Sequence, residues 1–213
     1  LKLLAFSSPE PLDPEFERRE VLAMFDSGLE CFHLRKPKAS QEDLERWIEG
    51  IPEEHQSKIV LHSAHDLAKK FPVRGIHLSA RQRSGCLQTA RVVKQLKRER
   101  EDLELSSSYY QLSELRFLPP KYDYVFLSPI FPSISSPDSQ PPFSLREVET
   151  TVRHARSNIF ALGGIDKSRV ETVRSLGFQG VALLGALWES EHPAEVFRSV
   201  KQAIDSTTDD TAI

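Results

Sequence analysis

The residues of this chain best suited to chemistry fall in short clusters, each directly after an apolar run. The first is His33-Leu34-Arg35-Lys36-Pro37-Lys38. Alternation along an extended segment puts His33 and Arg35 on one side, with Phe32 and Leu34 on the other. Arg35 offers a rigid fork of donors matched to phosphate oxygens, and Lys36 or Lys38 adds a point charge, so an anion site is expected here. The second and third clusters are Leu162-Gly163-Gly164-Ile165-Asp166 and Leu184-Gly185-Ala186. Glycine lets a ligand approach backbone N–H groups, and the start of a following helix favours negative charge. Three histidines, His33, His62 and His77, stand at or near the ends of apolar runs. Neutral imidazoles that converge can hold a divalent metal. No carboxylate accompanies them, hydrogen bonding is the simpler role for each, and no metal ligand is assigned. Cys31 lacks an activating base beside it and reads as a small buried side chain.

These clusters need a scaffold that brings strand ends together. Short apolar runs alternate with longer charged amphipathic stretches, the pattern of repeated strand–helix units. Strands are expected at 2–6, 30–35, 58–62, 75–78, 103–107, 124–127, 159–162 and 180–184. Helices are expected at 14–27, 41–49, 89–99, 145–157, 167–176 and 193–204. Ser40, Asp166 and Pro193 supply start signals, and Asp66 reads as the cap of a helix after the third strand. Gly28 and Gly177 stand where left-handed caps belong. The helices after His62 and after Ser108 look short. Eight such units predict a single-domain α/β protein, a (β/α)8 TIM barrel over residues 1–205 with a flexible tail at 206–213. A doubly wound open sheet is the alternative. In a barrel the loops after the strands form the catalytic face, so the Ser/Pro-rich stretch 132–143 after the sixth strand is either an active-site loop or plain surface.

Composition narrows the function classes. Of 213 residues, 28 are Lys or Arg and 31 Asp or Glu, a net charge of −3 that argues against a nucleic-acid partner. No apolar run approaches the ~20 residues of a membrane-spanning helix. Cys31 and Cys86 form no disulfide framework or metal-ligand spacing. A cytoplasmic small-molecule enzyme is the expectation, with a homodimer as one assembly open to it.

Six segments then suggest a family. FHLRKPK, GIHLSARQ, SSSYYQLSEL, YDYVFLSPIFPSIS, FALGGID and GFQGVALLGAL resemble, in order and spacing, successive segments of thiamine-phosphate synthase and of its relative, the thiazole tautomerase TenI. The likeness runs from about Leu29 to Leu187. It implies a TIM barrel that joins a pyrimidine diphosphate to a thiazole phosphate, with Mg²⁺ assisting the release of pyrophosphate.

Carried over by position, the resemblance is uneven. A Gln-Leu-Arg-Glu-Lys segment of the family reads His33-Leu34-Arg35-Lys36-Pro37, which retains Arg35. An Asn-Asp pair after the third strand reads His62-Ser63, and a second Asp falls on Gln82, so both expected magnesium carboxylates are missing; Asp66 and Asp138 are the candidate substitutes. Ser-x-His after the fifth strand reads Ser108-Tyr109-Tyr110. Pro-Thr-x-Thr-Lys after the sixth reads Pro132-Ser133-Ile134-Ser135-Ser136. The thiazole-phosphate corner survives best, in Gly163, Gly164, Leu184 and Gly185. The resemblance thus implies Arg35, His33 and His62 as catalytic candidates, with Lys36, Lys38, Ser108, Ser133 and Ser135 as substrate contacts. The alternatives it leaves are a tautomerase using His33 or His62 for proton transfer, and a non-catalytic protein that binds a phosphorylated ligand.

Overall fold

The computed structural model describes residues 1–85, 87–116, 118–119, 121–133 and 143–206. Cys86, Ser135, Asp138 and residues 207–213 lie outside them. Eight parallel strands close into one barrel in sequence order: β1 (Lys2–Phe6), β2 (Phe32–Leu34), β3 (Ile59–Leu61), β4 (Gly75–Leu78), β5 (Glu104–Tyr109), β6 (Tyr124–Leu127), β7 (Ile159–Leu162) and β8 (Gly180–Leu183). Closure is made by β1 on β8, in the register Leu4↔Ala182. That pairing excludes the open doubly wound sheet.

Alternation divides each strand between two cores. Outward residues such as Ala5, Phe32, Leu34, Ile59, Val125 and Val181 pack under the helices, against Val21, Met24, Phe25, Leu44, Trp47, Ile48, Val148, Phe197 and Val200. Burial of each large apolar side chain there contributes roughly 1.5–3 kcal/mol. Inward residues Leu4, Phe6, Val60, Tyr124, Phe126, Phe160 and Ala182 fill the barrel. Gly180 admits the Phe160 ring, which lies 3.0 Å from where a Cβ would stand. The inner layer is not apolar throughout, because His33, His77, Ser106 and Ser108 are also buried on the β2–β5 side.

Helix starts follow local chemistry. Ser40 and Asp43 form a reciprocal capping box at Gln41–Glu49, as Ser144 and Glu147 do at Leu145–His154. Gly28 and Gly177 adopt φ of +92° and +90°, ending their helices in the left-handed region. Three expectations change. The 167–176 helix is a 3-10 turn, Lys167–Arg169, followed by Val170–Ser175. The 145–157 helix stops at His154. Asp66 is no cap: the 3-10 turn His65–Lys69 is preceded by Ala64 in a left-handed conformation, and Asp66 pairs with Lys69 at 2.6 Å. No helix among the described residues is long and apolar enough to cross a membrane.

Candidate functional site

At the carboxyl ends of the strands lies a cavity of about 490 Å³, lined by Phe6, Arg35, His62, His77, Ser79, Ser108, Ser128, Ser133, Gly163, Gly164, Leu184, Gly185 and Trp188 among others. Its two sides differ in chemistry.

The β7–β8 side is backbone. Gly163 and Gly164 have φ of +93° and +64°. A Cβ on Gly163 would stand 2.8 Å from Pro129, and one on Gly164 would strike the Pro132 carbonyl and the Phe131 side chain. Only glycine lets the chain pass here, and the result is an unscreened row of amides. No backbone acceptor takes the N–H of Gly163, Gly164 or Gly185 among the described residues. Such groups bind anions when they converge.

The β2–β5 side is side chain. Ser7 Oγ donates to the Arg35 carbonyl at 3.0 Å and accepts the Arg35 N–H at 2.8 Å, which pins the turn after β2. The Arg35 guanidinium is exposed and makes no ion pair among the described residues. Lys36 and Lys38, expected beside it, face another way. Lys36 Nζ lies 2.7 Å from the buried carboxylate of Glu17, and Lys38 pairs with Glu10 at 2.9 Å. Both line a separate cavity with Trp47, Pro11 and Pro14. Ser108 and Ser133 reach the mouth, whereas Ser135 lies outside the described residues.

Beneath that side lies a histidine network. His33 Nδ1 and His62 Nε2 are 2.9 Å apart, and His33 Nε2 is 2.8 Å from the Tyr124 hydroxyl. His77 Nδ1 meets Ser106 Oγ at 2.9 Å, and its Nε2 meets Ser108 Oγ at 3.0 Å. His62 stacks on His77 with centroids 4.1 Å apart, and Phe6 stacks on His33 at 4.6 Å. Burial holds His33 and His62 well below the ordinary imidazole pKa and pushes His77 down to about 3; for His77, the nearby His65 and Arg35 add in the same direction. All three rings are therefore neutral at pH 7. Burial likewise drives the Tyr124 hydroxyl well above its usual value and the Cys31 thiol to about 12.

The structure thus brings Arg35, His62, Ser108, Ser133, Gly163, Gly164, Leu184 and Gly185 to one cavity. His33, expected at the substrate, is 0% exposed and lies beneath the cavity wall, hydrogen-bonded to His62 and in ring contact with Phe6 and His77. Sequence reasoning assigned no role to Tyr124 or Ser106. Their inward positions on β6 and β5 are the signal that finds them, since a polar residue facing into a barrel needs a partner.

Magnesium does not fit the donors present. Mg²⁺ asks for an octahedron of hard oxygens, usually with one or two carboxylates. At the ends of β3 and β4 stand His62, Ser63 and Gln82, and Gln82 Oε1 is occupied by Ser79 in a capping box. The carboxylates that line the cavity are Glu10, paired with Lys38, and Glu189 near Trp188 on the far side.

Comparison with known proteins points one way. Residues 8–187 match the family model described as thiamine monophosphate synthase. The thiamine-phosphate synthase of Lactococcus lactis subsp. cremoris (strain SK11) is 21% identical over 193 residues, covering 87% of this chain and 85% of that protein. That of Chlamydia abortus is 23% identical, covering 96% and 95%. The crystal structure of thiamine phosphate pyrophosphorylase from Bacteroides thetaiotaomicron superposes with a TM-score of 0.76 at 28% identity, covering 96% of this chain and 98% of that one.

Proposed function

Because the chain belongs to the thiamine monophosphate synthase family, we propose that its barrel mouth binds a thiazole phosphate and joins it to a pyrimidine diphosphate. The observation that carries this reading is a single cavity with two anion-receptive sides, the bare amides of Gly163, Gly164 and Gly185 and, across from them, the Arg35 guanidinium. The thiazole phosphate is assigned to the amides. The diphosphate is assigned to Arg35, Ser108 and Ser133, with Ser135, two positions on in the sequence, as a further candidate outside the described residues. Lys36 and Lys38 are engaged by Glu17 and Glu10, so Arg35 supplies the charge from this segment. In the reaction the carbon–oxygen bond to the diphosphate breaks and its electron pair leaves on pyrophosphate. The thiazole nitrogen supplies the pair for the new carbon–nitrogen bond. Arg35 counters the charge that grows on the leaving group. No step of this reading passes through Mg²⁺.

The test is to incubate the purified chain with both substrates and measure thiamine phosphate with Mg²⁺, with Zn²⁺ and with EDTA, beside a known synthase in the same buffer. Product in any arm supports the reading. No product in every arm, while the known synthase works, overturns it.

One observation favours a second reading. His62 Nδ1 has no partner among the described residues, and its ring lines the cavity. A neutral imidazole so placed can move a proton on a phosphorylated thiazole, the tautomerase reaction. Isomerisation of a thiazole carboxylate phosphate, abolished by His62→Gln, identifies that activity. Thiazole phosphate binding with neither reaction identifies a binding protein.

A further inference from the structure

The histidine network is not explained by phosphate binding, which needs donors and positive charge rather than neutral rings. We propose that His33, His62 and His77 form a binding site for a borderline divalent transition metal, with Zn²⁺ the ion it suits best. One ligand nitrogen from each residue lies within 4.8 Å of the others. The donor set is all imidazole, which suits Zn²⁺, Co²⁺ or Ni²⁺ and not Mg²⁺.

The surroundings resemble those of a metal site. A ligating imidazole binds through one nitrogen while the other is held by an outer partner that fixes ring and tautomer. Tyr124 holds Nε2 of His33, leaving Nδ1 for a metal. Either nitrogen of His77 can bind, because Ser106 and Ser108 hold one each. The ring planes of His62 and His77 are inclined to His33 by 73° and 79°, so the three are not coplanar. A tetrahedral site with bonds of ~2.0–2.1 Å sets its nitrogens about 3.3 Å apart. The 2.9 Å between His33 and His62 must open slightly, and His62 must tilt from its stack on His77. His62 is the one ring of the three that is not fully buried, and it borders the cavity, so it has room to move. His62 and His77 both line the cavity, so a fourth ligand, water or a substrate oxygen, would be supplied from that side.

Binding is measured directly and does not depend on which reaction the chain performs. Full-length protein, stripped with a chelator and dialysed, is titrated with Co²⁺ alone and then with Zn²⁺. The expected result is one Co²⁺ per chain with the intense visible bands of four-coordination, bleached by one equivalent of Zn²⁺ and unaffected by excess Mg²⁺. His62→Ala, at a partly exposed position, loses the bands. Tyr124→Phe keeps them but binds about 10–100-fold more weakly, the usual cost of losing an outer partner. Circular dichroism confirms that both variants remain folded. No bands in the parent chain, or bands that persist in His62→Ala, overturns the proposal.

Discussion

Replacing Lys36 by methionine separates a structural from a substrate-binding role for that lysine. Glu17 is 2% exposed, and its carboxylate accepts from Lys36 Nζ, from Trp47 Nε1 at 3.1 Å and from the Ser8 N–H at 3.3 Å. It therefore ties together the helix Pro14–Asp26, the turn after β1, the turn after β2 and the helix Gln41–Glu49. Lys36→Met keeps most of the stem but leaves a carboxylate buried without a counter-charge. Breaking a buried pair from one side costs about 3–5 kcal/mol. For a chain of this size that lowers Tm by about 6–20 °C. Glu17→Leu costs less on the charge side, because the Lys36 side chain is 17% exposed and can turn to water. Glu17→Leu/Lys36→Met removes both charges. It stays below the parent, since the Ser8 and Trp47 N–H groups have lost their acceptor, at about 1–3 kcal/mol for each buried orphan. It is nonetheless expected to be about 2–3 kcal/mol more stable than the sum of the single losses, the coupling of a contacting pair. Urea unfolding of the four proteins measures this cycle. A Lys36→Met chain within about 0.5 kcal/mol of the parent, with additive singles, refutes the structural role and returns Lys36 to the substrate.

Three further outcomes are expected. Arg35→Ala removes an exposed guanidinium that has no ion pair among the described residues. It should leave stability within about 0.5 kcal/mol and weaken substrate diphosphate binding about 10–100-fold, the worth of a charge-assisted contact, read by calorimetry. Gly164→Ala forces a side chain into a left-handed residue whose Cβ meets Phe131 at 2.9 Å. A stability loss of about 1–3 kcal/mol with weaker thiazole phosphate binding is expected, and unchanged affinity in ligand titration refutes the amide site. In a Cys86→Ser background, Cys31, pushed to about 12 by burial, should resist a thiol reagent at pH 8 until denaturant is added.

The strands were readable because parallel strands covered on both faces appear as unbroken apolar runs. Runs 75–78, 124–127 and 159–162 match β4, β6 and β7 residue for residue. The misjudged ends have particular causes. The polar run Ser106-Ser107-Ser108 is buried, because its hydroxyls meet His77 and the Leu78 carbonyl, so β5 continues to Tyr109 beyond the expected 107. Lys36 could not be placed from sequence because its partner Glu17 lies 19 residues upstream on another element.

The depth of each histidine was equally hidden, although strand order revealed that they share one end of the barrel. Paired strands place His33 beside Val60, and His62, two residues on, stands just past the end of β3 on the same inward side. One step of two residues therefore separates a buried ring from one at the cavity wall. That step decides the chemistry open to each. His62 can meet a substrate or a metal from the cavity, while His33 acts only through His62 or as a ligand beneath it. The same alternation turns Phe6 and Phe126 inward against the histidines, with ring centroids 4.6 Å and 5.0 Å from His33, and Phe160 packs behind Phe126. The polar half of the barrel is thus bounded by rings that exclude water. Within it stand three neutral imidazoles, while the positions where the resemblance leads one to expect carboxylates carry Ser63 and Gln82. An unpaired carboxylate placed among those rings would pay a heavy desolvation penalty, whereas neutral imidazoles held by Tyr124, Ser106 and Ser108 do not.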